Sequence, residues 1–214
     1  MPPKPPRRTR ERILQTALAM FNQFGEPTVA TTSIAFEMGI SPGNLYYHYP
    51  SKEAIVADLF AEFRREIETT LAAPEARLPD AEDCWLFLHL VFEAISKYRF
   101  VYRDINDLVA RYHVIEVQFR RILAHKIRVA EQILTGLVEG GQMQAAPAEI
   151  PTLAQNIVLV ASYWMSFEFA RDPKAQQDDK TLARGAFHVI ALAAPYLEPR
   201  ERELFDRLAK RYIA

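Results

Sequence analysis

Apolar residues recur every three or four positions along almost the whole chain, and this spacing constrains the fold more than any other feature. The period matches an α-helical turn, whereas no convincing alternation of apolar and polar residues appears between turn signals. The chain has only seven glycines in 214 residues, and its prolines cluster outside the periodic segments. The sequence therefore predicts an all-α protein.

Helix boundaries suggest short helices first and longer ones afterwards. Gly25 and Gly39 each follow an apolar stripe, in the place that glycine favours at a helix C-terminus. From Ser51 to about Leu71 apolar residues recur every four positions, which predicts one long amphipathic helix. Later helices are predicted at about 80–100, 104–112, 115–139, 151–171, 179–194 and 200–212.

The change of helix length near residue 50 predicts two domains. We expect an N-terminal three-helix domain at 1–50, which begins with a basic, proline-rich arm at 1–8, and a larger helical domain at 51–214 that starts with a linking helix at 51–71. The arm either enters a DNA minor groove or is a solubilising tail. Residues 1–52 carry six basic and three acidic side chains, or +3, and the remainder carries −4. Such an imbalance indicates a polyanionic partner for the N-terminal part.

Composition and motifs argue against several classes of protein. A single cysteine, Cys84, excludes an internal disulfide framework and a thiolate metal cage, and fits a reducing cytoplasm. The longest apolar run, at 84–92, is about half the length of a membrane span, and the first residues lack the apolar region of a secretory signal. Zinc-protease, di-iron, phosphate-loop and nucleophile-elbow motifs are missing. We therefore expect a cytoplasmic protein that is not an enzyme, with no cofactor, no metal and no membrane partner.

The segment SPGNLYYHYPSK at 41–52 places ring-bearing side chains directly after a helix start. Ser41 can accept a hydrogen bond from the backbone N–H of Asn44, and Pro42 at the first helical position loses no needed donor. Because residues four apart share a helix face, Leu45 and Tyr49 are expected to point inward. With the helix before it, this short helix would form a helix-turn-helix.

The opposite face of this short helix is suited to DNA. Gly43 permits close approach to base edges, and the amide of Asn44 can read adenine. Hydroxyl and imidazole groups at the far end can reach phosphates, and the next helix would add a cation in its first turn. The alternative is that the tyrosines are half-buried anchors, which is the expected state of Tyr49 and partly of Tyr46. The predicted DNA-contacting residues are Thr31, Thr32, Ser41, Pro42, Gly43, Asn44, Tyr46, Tyr47, His48 and Lys52.

The stretch TTSIAFEMGISPGNLYYHYPSKEAI at 31–55 resembles the DNA-binding segment of the tetracycline-repressor (TetR) family of bacterial regulators. The resemblance extends over about residues 9–60. Two positions depart from the family pattern: Pro42 replaces a side chain that is often polar, and Tyr49 replaces a phenylalanine, a change expected to alter packing. The matching residues are Thr31, Thr32, Ile34, Ala35, Gly39, Ser41, Gly43, Leu45, Tyr46, His48, Tyr49, Lys52 and Glu53.

This resemblance implies a dimeric transcription regulator, most simply a repressor that a small, hydrophobic effector releases from a palindromic operator. It also implies an effector cavity in the C-terminal domain, although its aromatic residues could equally form an ordinary core. Arg99, Arg103 and Arg111 would bind an anionic group there or be solvated. The alternative function is a helical ligand-binding or enzymatic dimer that no longer binds DNA. Candidate effector-binding residues are Phe63, Trp85, His89, Phe92, Tyr112, His113 and Trp164.

The helices near 151–171 and 179–194 are apolar over more than one face. Their small residues would allow close helix approach, and the resemblance assigns both helices to a homodimer interface. The alternative is that the small residues are buried within one subunit. They are Ala154, Ala161, Ser162, Ala183, Gly185 and Ala186.

Overall fold

The computed structural model describes residues 6–72, 81–173 and 179–213. Over these ranges the chain is helical and contains no strand, so the predicted all-α class is confirmed. The helices are α1 (Pro6–Phe24), α2 (Thr31–Glu37), α3 (Pro42–His48), α4 (Lys52–Leu71), α5 (Ala81–Lys97), α6 (Arg99–Arg103), α7 (Ile105–Arg111), α8 (His113–Glu139), α9 (Ile150–Arg171), α10 (Asp179–Ala193) and α11 (Pro199–Ile213), with a 3₁₀ turn at Ala194–Tyr196.

The N-terminal boundaries follow the local signals with one exception. Gly39 follows α2 with a φ of +65°, the left-handed conformation predicted for it. Ser51 caps α4, and its hydroxyl accepts the backbone N–H of Ala54. The predicted arm at 1–8 is different, because residues 6–8 belong to α1 and residues 1–5 lie outside the described residues.

One predicted helix, at 80–100, is divided in two. Tyr98 leaves the helical region, with φ −116° and ψ 40°, while its ring is buried in the core. The chain therefore turns after α5, and α6 packs against α1 and α9. A second break at Asp104 separates α6 from α7. These breaks bring Arg103 and Asp104 to the N-terminal domain.

The two domains are joined by helix α4 and by a shared apolar core. In the N-terminal domain α1 packs against α2, α3 and α4, while in the C-terminal domain α9 packs against α6, α8 and α10. Helix α4 joins the two, because it also packs against α5 and α8. A single apolar core runs from Ile13 in α1 to Val189 in α10 without interruption. The domains therefore share buried surface in addition to a connecting helix.

The small residues of α9 and α10 pack within the single chain. Ala154 and Ser162 are completely buried, and Ala161 and Ala186 are almost completely buried. A Cβ atom at Gly185 would lie 2.6 Å from side-chain atoms of Phe92 and Trp164, so only glycine fits that helix crossing. These five residues are therefore packed inside one subunit, which is the alternative that the sequence left open, whereas Ala183 is half-buried.

Candidate DNA-binding surface and ligand cavity

Helices α2 and α3 form a helix-turn-helix that is held by buried apolar side chains. Leu45 and Tyr49 are completely buried, as predicted, and they join a core that contains Ile34 and Ala35 of α2. The Ser41 hydroxyl accepts the backbone N–H of Asn44 at 3.2 Å, so the predicted cap of α3 is also confirmed. The inner face of α3 is thus fixed by burial and its start by a hydrogen bond.

The opposite side of α3 is open to solvent. Asn44 is exposed, Tyr47 retains 83% of its side-chain exposure, and a Cβ at Gly43 would meet nothing within 4 Å. His48 is half-buried, with its ring edge-on to that of Tyr47 at 5.2 Å. We call Gly43, Asn44, Tyr47 and His48 the reading face. Of the other predicted DNA-contacting residues, Thr32, Ser41 and Pro42 are also exposed.

Tyr46 connects α3 to the start of α2. Its hydroxyl lies 2.8 Å from the Thr31 hydroxyl, and 45% of the side chain is exposed. Tyr46 is therefore more open than the half-buried anchor that we expected. The structure brings Thr31 and Tyr46 together at one edge of the helix-turn-helix.

The Tyr49 hydroxyl makes a polar contact between three helices. It donates to the carboxylate of Asp58 in α4 at 2.9 Å and accepts from Nε of Arg10 in α1 at 3.1 Å. Arg10 also pairs with Asp58 at 2.8 Å and lies over the tyrosine ring. Burial, reinforced by the bond to Asp58, raises the pKa of Tyr49 to about 12. Tyrosine in place of phenylalanine thus adds a hydrogen-bonded tie here, beyond the expected change in packing.

Lys52 lies inside the molecule, although we expected a cation open to phosphate. Its ammonium donates to the backbone carbonyls of Glu26 at 2.8 Å and Val29 at 3.0 Å. It also pairs with the Glu26 carboxylate at 3.1 Å, and only 20% of its side chain is exposed. Lys52 is therefore held within the protein by two hydrogen bonds and one ion pair.

Glu26 is the centre of a cluster that sequence reasoning missed. Its side chain is completely buried, yet its carboxylate accepts hydrogen bonds from Arg111 and from the Tyr112 hydroxyl and forms an ion pair with Lys52. Its backbone N–H donates to the Asp104 carboxylate at 3.1 Å. The bond to Glu26 raises the pKa of Arg111, and burial raises that of Tyr112. We call Glu26, Lys52, Arg111 and Tyr112 the Glu26 cluster; it joins the N-terminal domain to α7 and α8.

Arg103 makes a second polar contact between the domains. Its guanidinium donates to the backbone carbonyls of Phe21 at 2.8 Å and Asn22 at 3.3 Å, at the end of α1. Arg103 and Arg111 therefore bind the N-terminal domain, which corrects the expectation that they would address an anionic ligand. Tyr112 likewise belongs to this contact and not to a ligand cavity.

An apolar cavity lies within the C-terminal domain. Its volume is about 150 Å³, and its walls come from α4, α5, α8, α9, α10 and α11. Leu71, the last residue of α4, lines it, and so do Cys84 and Trp85 of α5. Trp85 is the one candidate effector-binding residue among the described residues that line this cavity.

The remaining candidates lie elsewhere. Phe63 is buried among the rings of Tyr98 and Tyr102, and Trp164 is buried with its indole N–H on the Thr181 carbonyl at 2.7 Å. His113 is exposed and pairs with Glu116 at 3.0 Å. His89 and Phe92 line a separate pocket between α5 and α10. Because helix rotation decides which ring faces a cavity, the predicted effector-binding residues are distributed over several places in the domain.

Lys126 of α8 is a cavity-lining residue that sequence reasoning missed. Its side chain is 5% exposed, and its ammonium donates to the Tyr102 hydroxyl at 2.9 Å and to the Ser162 hydroxyl at 3.4 Å. It occupies a position in the apolar stripe of α8, between Ile122 and Ala130. A lysine at such a position is the sequence signal that could have identified it.

Two family profiles together match most of the chain. The profile described as "Bacterial regulatory proteins, tetR family" matches residues 13–59, and the profile described as "Bacterial transcriptional repressor" matches residues 62–205. The chain belongs to the TetR family. This TetR-family chain is therefore a DNA-binding transcription regulator, with its helix-turn-helix in the first matched segment.

Individual relatives agree with this membership. A TetR-family transcriptional regulator from Marinobacter aquaeolei VT8 has 31% identity and a TM-score of 0.85, over 95% of this chain and 98% of its own. The probable HTH-type transcriptional regulator YttP of Bacillus subtilis has 23% identity over 67% of this chain and 69% of YttP. The regulator UidR of Escherichia coli has 37% identity over 28% of this chain and 35% of UidR.

In the part that the structure describes, no helix is both long and apolar enough to cross a membrane. Within the same residues, no group of histidine, cysteine and carboxylate side chains could hold a metal ion.

Proposed function

We propose that the chain acts in the cytoplasm as a dimeric repressor, which a small, apolar effector releases from a palindromic operator. The observation that carries the proposal is the reading face: polar side chains on one side of a short helix whose other side is completely buried. A helix of seven residues, about 10 Å long, fits the B-DNA major groove, which is about 12 Å wide.

Each side chain of the reading face has a proposed role. Asn44 reads a base edge through its amide, and Gly43 leaves room for that approach. Tyr47 and His48 donate to phosphates at the far end of α3. Thr31 and Tyr46 share one hydrogen bond, so the hydroxyl that does not donate in it can donate to a phosphate. Pro42 offers no side-chain donor, so base discrimination rests on Asn44.

A second copy of the chain is the proposed partner on α9 and α10. Leu159 and Phe167 on α9 are more than half exposed, although large apolar side chains are usually withdrawn from water. A dimer of this kind would place two reading faces in successive major grooves, about 34–36 Å apart, on an operator with matching two-fold symmetry. Sedimentation of the purified chain at micromolar concentration measures this state directly.

Helix α4 is the proposed connection between effector and DNA. Its 20 residues span about 30 Å, from Lys52 in the Glu26 cluster to Leu71 at the cavity. A ligand that displaces Leu71 would therefore move the helix that directly follows α3. The coupling requires that the ligand favours one position of α4, and typical values are about 1–3 kcal/mol.

The decisive experiment selects binding sites from a random pool of duplex DNA and maps the selected site by footprinting. Asn44→Ala is expected to weaken binding to that site about 10- to 100-fold and to relax its sequence preference, because one bidentate base contact contributes about 1–3 kcal/mol. Asn106→Ala, which removes an exposed amide of α7, is the matched control and leaves binding unchanged. The absence of any enriched sequence from a folded dimer would contradict the proposal.

A further inference from the structure

The ammonium of Lys126 is buried without an anionic partner. Its two recorded hydrogen bonds reach the hydroxyls of Tyr102 and Ser162, and the Tyr102 ring lies 4.7 Å from Nζ. Among the described residues, the structure records no carboxylate within ion-pair distance of it. An ammonium has three N–H donors, so one remains for a further acceptor.

This arrangement is costly for the free protein. Moving a charged group out of water without a counter-ion is unfavourable, and burial accordingly lowers the pKa of Lys126 to about 7. A leucine or methionine at this position would continue the apolar stripe of α8 without that cost. A strongly perturbed ionisable group in a cavity is a candidate for ligand binding.

The residues around Lys126 determine which chemical groups a ligand of this cavity must have. The other described lining residues are apolar except for Cys84 and Glu201 of α11, and Glu201 has no recorded ion pair with Lys126. A cavity of about 150 Å³ accepts an apolar body at least as large as benzene. The ligand therefore has to satisfy one cation and many apolar contacts together.

We propose that the effector is an amphipathic monoanion, a carboxylate attached to an apolar body of six or more carbons, and that its carboxylate pairs with Lys126. This inference rests on the proposed function only in identifying the cavity as the effector site. A single cation balances a single negative charge, which disfavours a dianionic phosphate. A neutral alcohol would leave the ammonium without a counter-ion, and a cationic ligand would be repelled.

Tyr102 and Ser162 are positioning residues in this proposal. Their hydroxyls accept from the ammonium and hold it at the cavity wall, but neither residue lines the cavity itself. Ser162 is a small residue of α9 that is completely buried, which leaves room for the long lysine side chain beside it.

The test measures binding to the full chain by titration calorimetry at pH 6.5 in the absence of DNA. The probes are hexanoate, octanoate and decanoate, each compared with the primary alcohol of the same length. The wild-type chain is expected to bind at least one carboxylate ten times more tightly than its alcohol. Lys126→Met is expected to lose that preference, with carboxylate binding at least tenfold weaker and alcohol binding unchanged or tighter.

Two further variants keep the test interpretable. Lys126→Gln replaces the cation with a neutral polar group, and it is expected to lose the same preference if Lys126→Met does not fold. Lys180→Met removes an exposed lysine of α10 and is expected to bind all probes like the wild type. The inference is overturned if no carboxylate of the series binds, if acid and alcohol bind equally to the wild type, or if both Lys126 variants keep the preference.

Failure of this inference can be distinguished from failure of the proposed function. Carboxylate binding through Lys126 without any effect on DNA binding would support the pairing of a carboxylate with Lys126 and contradict the effector-controlled repressor. Release of the selected operator by alcohols and acids alike would support the repressor and overturn the role of Lys126. A gel shift with the same probes on the selected operator therefore completes the experiment.

Discussion

Two lysines, one near the reading face and one at the cavity, lie in opposite electrostatic surroundings. Lys52 is partly buried and meets a carboxylate and two backbone carbonyls. Lys126 is more deeply buried and meets only two hydroxyls. The charge of Lys52 is balanced by a carboxylate of the protein, whereas no carboxylate of the described residues balances the charge of Lys126.

The difference between the two lysines indicates different roles, one in holding the fold together and one in binding a ligand. A buried ion pair joins elements of the fold, and removal of one member leaves the other uncompensated. A buried cation that has hydrogen-bond partners but no counter-ion is costly for the fold, so its presence calls for another explanation. We therefore infer that Lys52 holds the domains together and that Lys126 receives the effector.

The largest effect is expected from removing the carboxylate that balances Lys52. Glu26→Ala would leave Lys52 without its counter-ion and Arg111 with the carboxylate of Asp107 alone. It is expected to lower the free energy of unfolding by about 3 kcal/mol, near the low end for buried pairs because Arg111 is partly exposed and keeps that second partner. Urea denaturation followed by circular dichroism measures this. Glu37→Ala, at an exposed site of α2, is the control and should stay within about 0.5 kcal/mol of wild type.

Removal of Lys52 should have a smaller effect on stability and a diagnostic one on DNA binding. Glu26 keeps Arg111 and Tyr112 as partners in Lys52→Met, so we expect a loss of about 2 kcal/mol. The salt dependence of operator binding should keep its slope. A slope reduced by about 1 would instead show that Lys52 contacts a phosphate, as the sequence suggested.

Removal of Lys126 is expected to raise the stability of the protein, whereas removal of Lys52 lowers it. The size of this gain depends on pH. Because the folded-state pKa of Lys126 lies at about 7, below the usual 10.5, the unfolded chain binds more protons between these values. Stability of the wild type therefore rises with pH in that window by about 1.4 kcal/mol per unit. Lys126→Met lacks this dependence.

Thermal melts at pH 6.5 and 8.5 check the sign. Lys126→Met should melt above the wild type at pH 6.5, and its advantage should shrink at pH 8.5. Among the side chains that the structure describes, the titratable groups that face Lys126 or line the cavity are Tyr102, whose pKa burial raises, Cys84 and Glu201. The variants Cys84→Ser and Glu201→Gln are therefore the controls for Lys126→Met. If the stability of both controls depends on pH as in the wild type, the effect is due to Lys126.

The smallest effect is expected at Tyr49. Tyr49→Phe removes the hydroxyl that bonds to Arg10 and Asp58 but keeps the buried ring, so the expected loss is about 1 kcal/mol. The midpoint of urea denaturation measures it, with Tyr47→Phe, at an exposed ring, as control. Equal midpoints for Tyr49→Phe and the wild type would mean that only packing of the ring matters.

The sequence predicted well those features that local chemistry determines. The Ser41 cap, the turn at Gly39 and the inward side chains Leu45 and Tyr49 each follow from neighbours within a few positions. The Glu26 cluster could not be predicted, because Glu26 and Arg111 meet only after the chain turns at Tyr98 and Asp104. The lining of a given cavity is equally hard to predict, because a ring faces the cavity or the core according to the rotation of its helix.

The contacts of Arg10, Tyr49 and Asp58 join α1, α3 and α4, and the contact of Thr31 with Tyr46 joins α2 to α3. The four helices are thus tied into one rigid body that carries the reading face. In the proposed dimer, an effector would move helices α1–α4 of each subunit as a unit. The position of the Asn44 amide relative to its own half-site would not change. Effector binding would then change which half-site spacing the dimer accepts, while the bases preferred within each half-site stay the same.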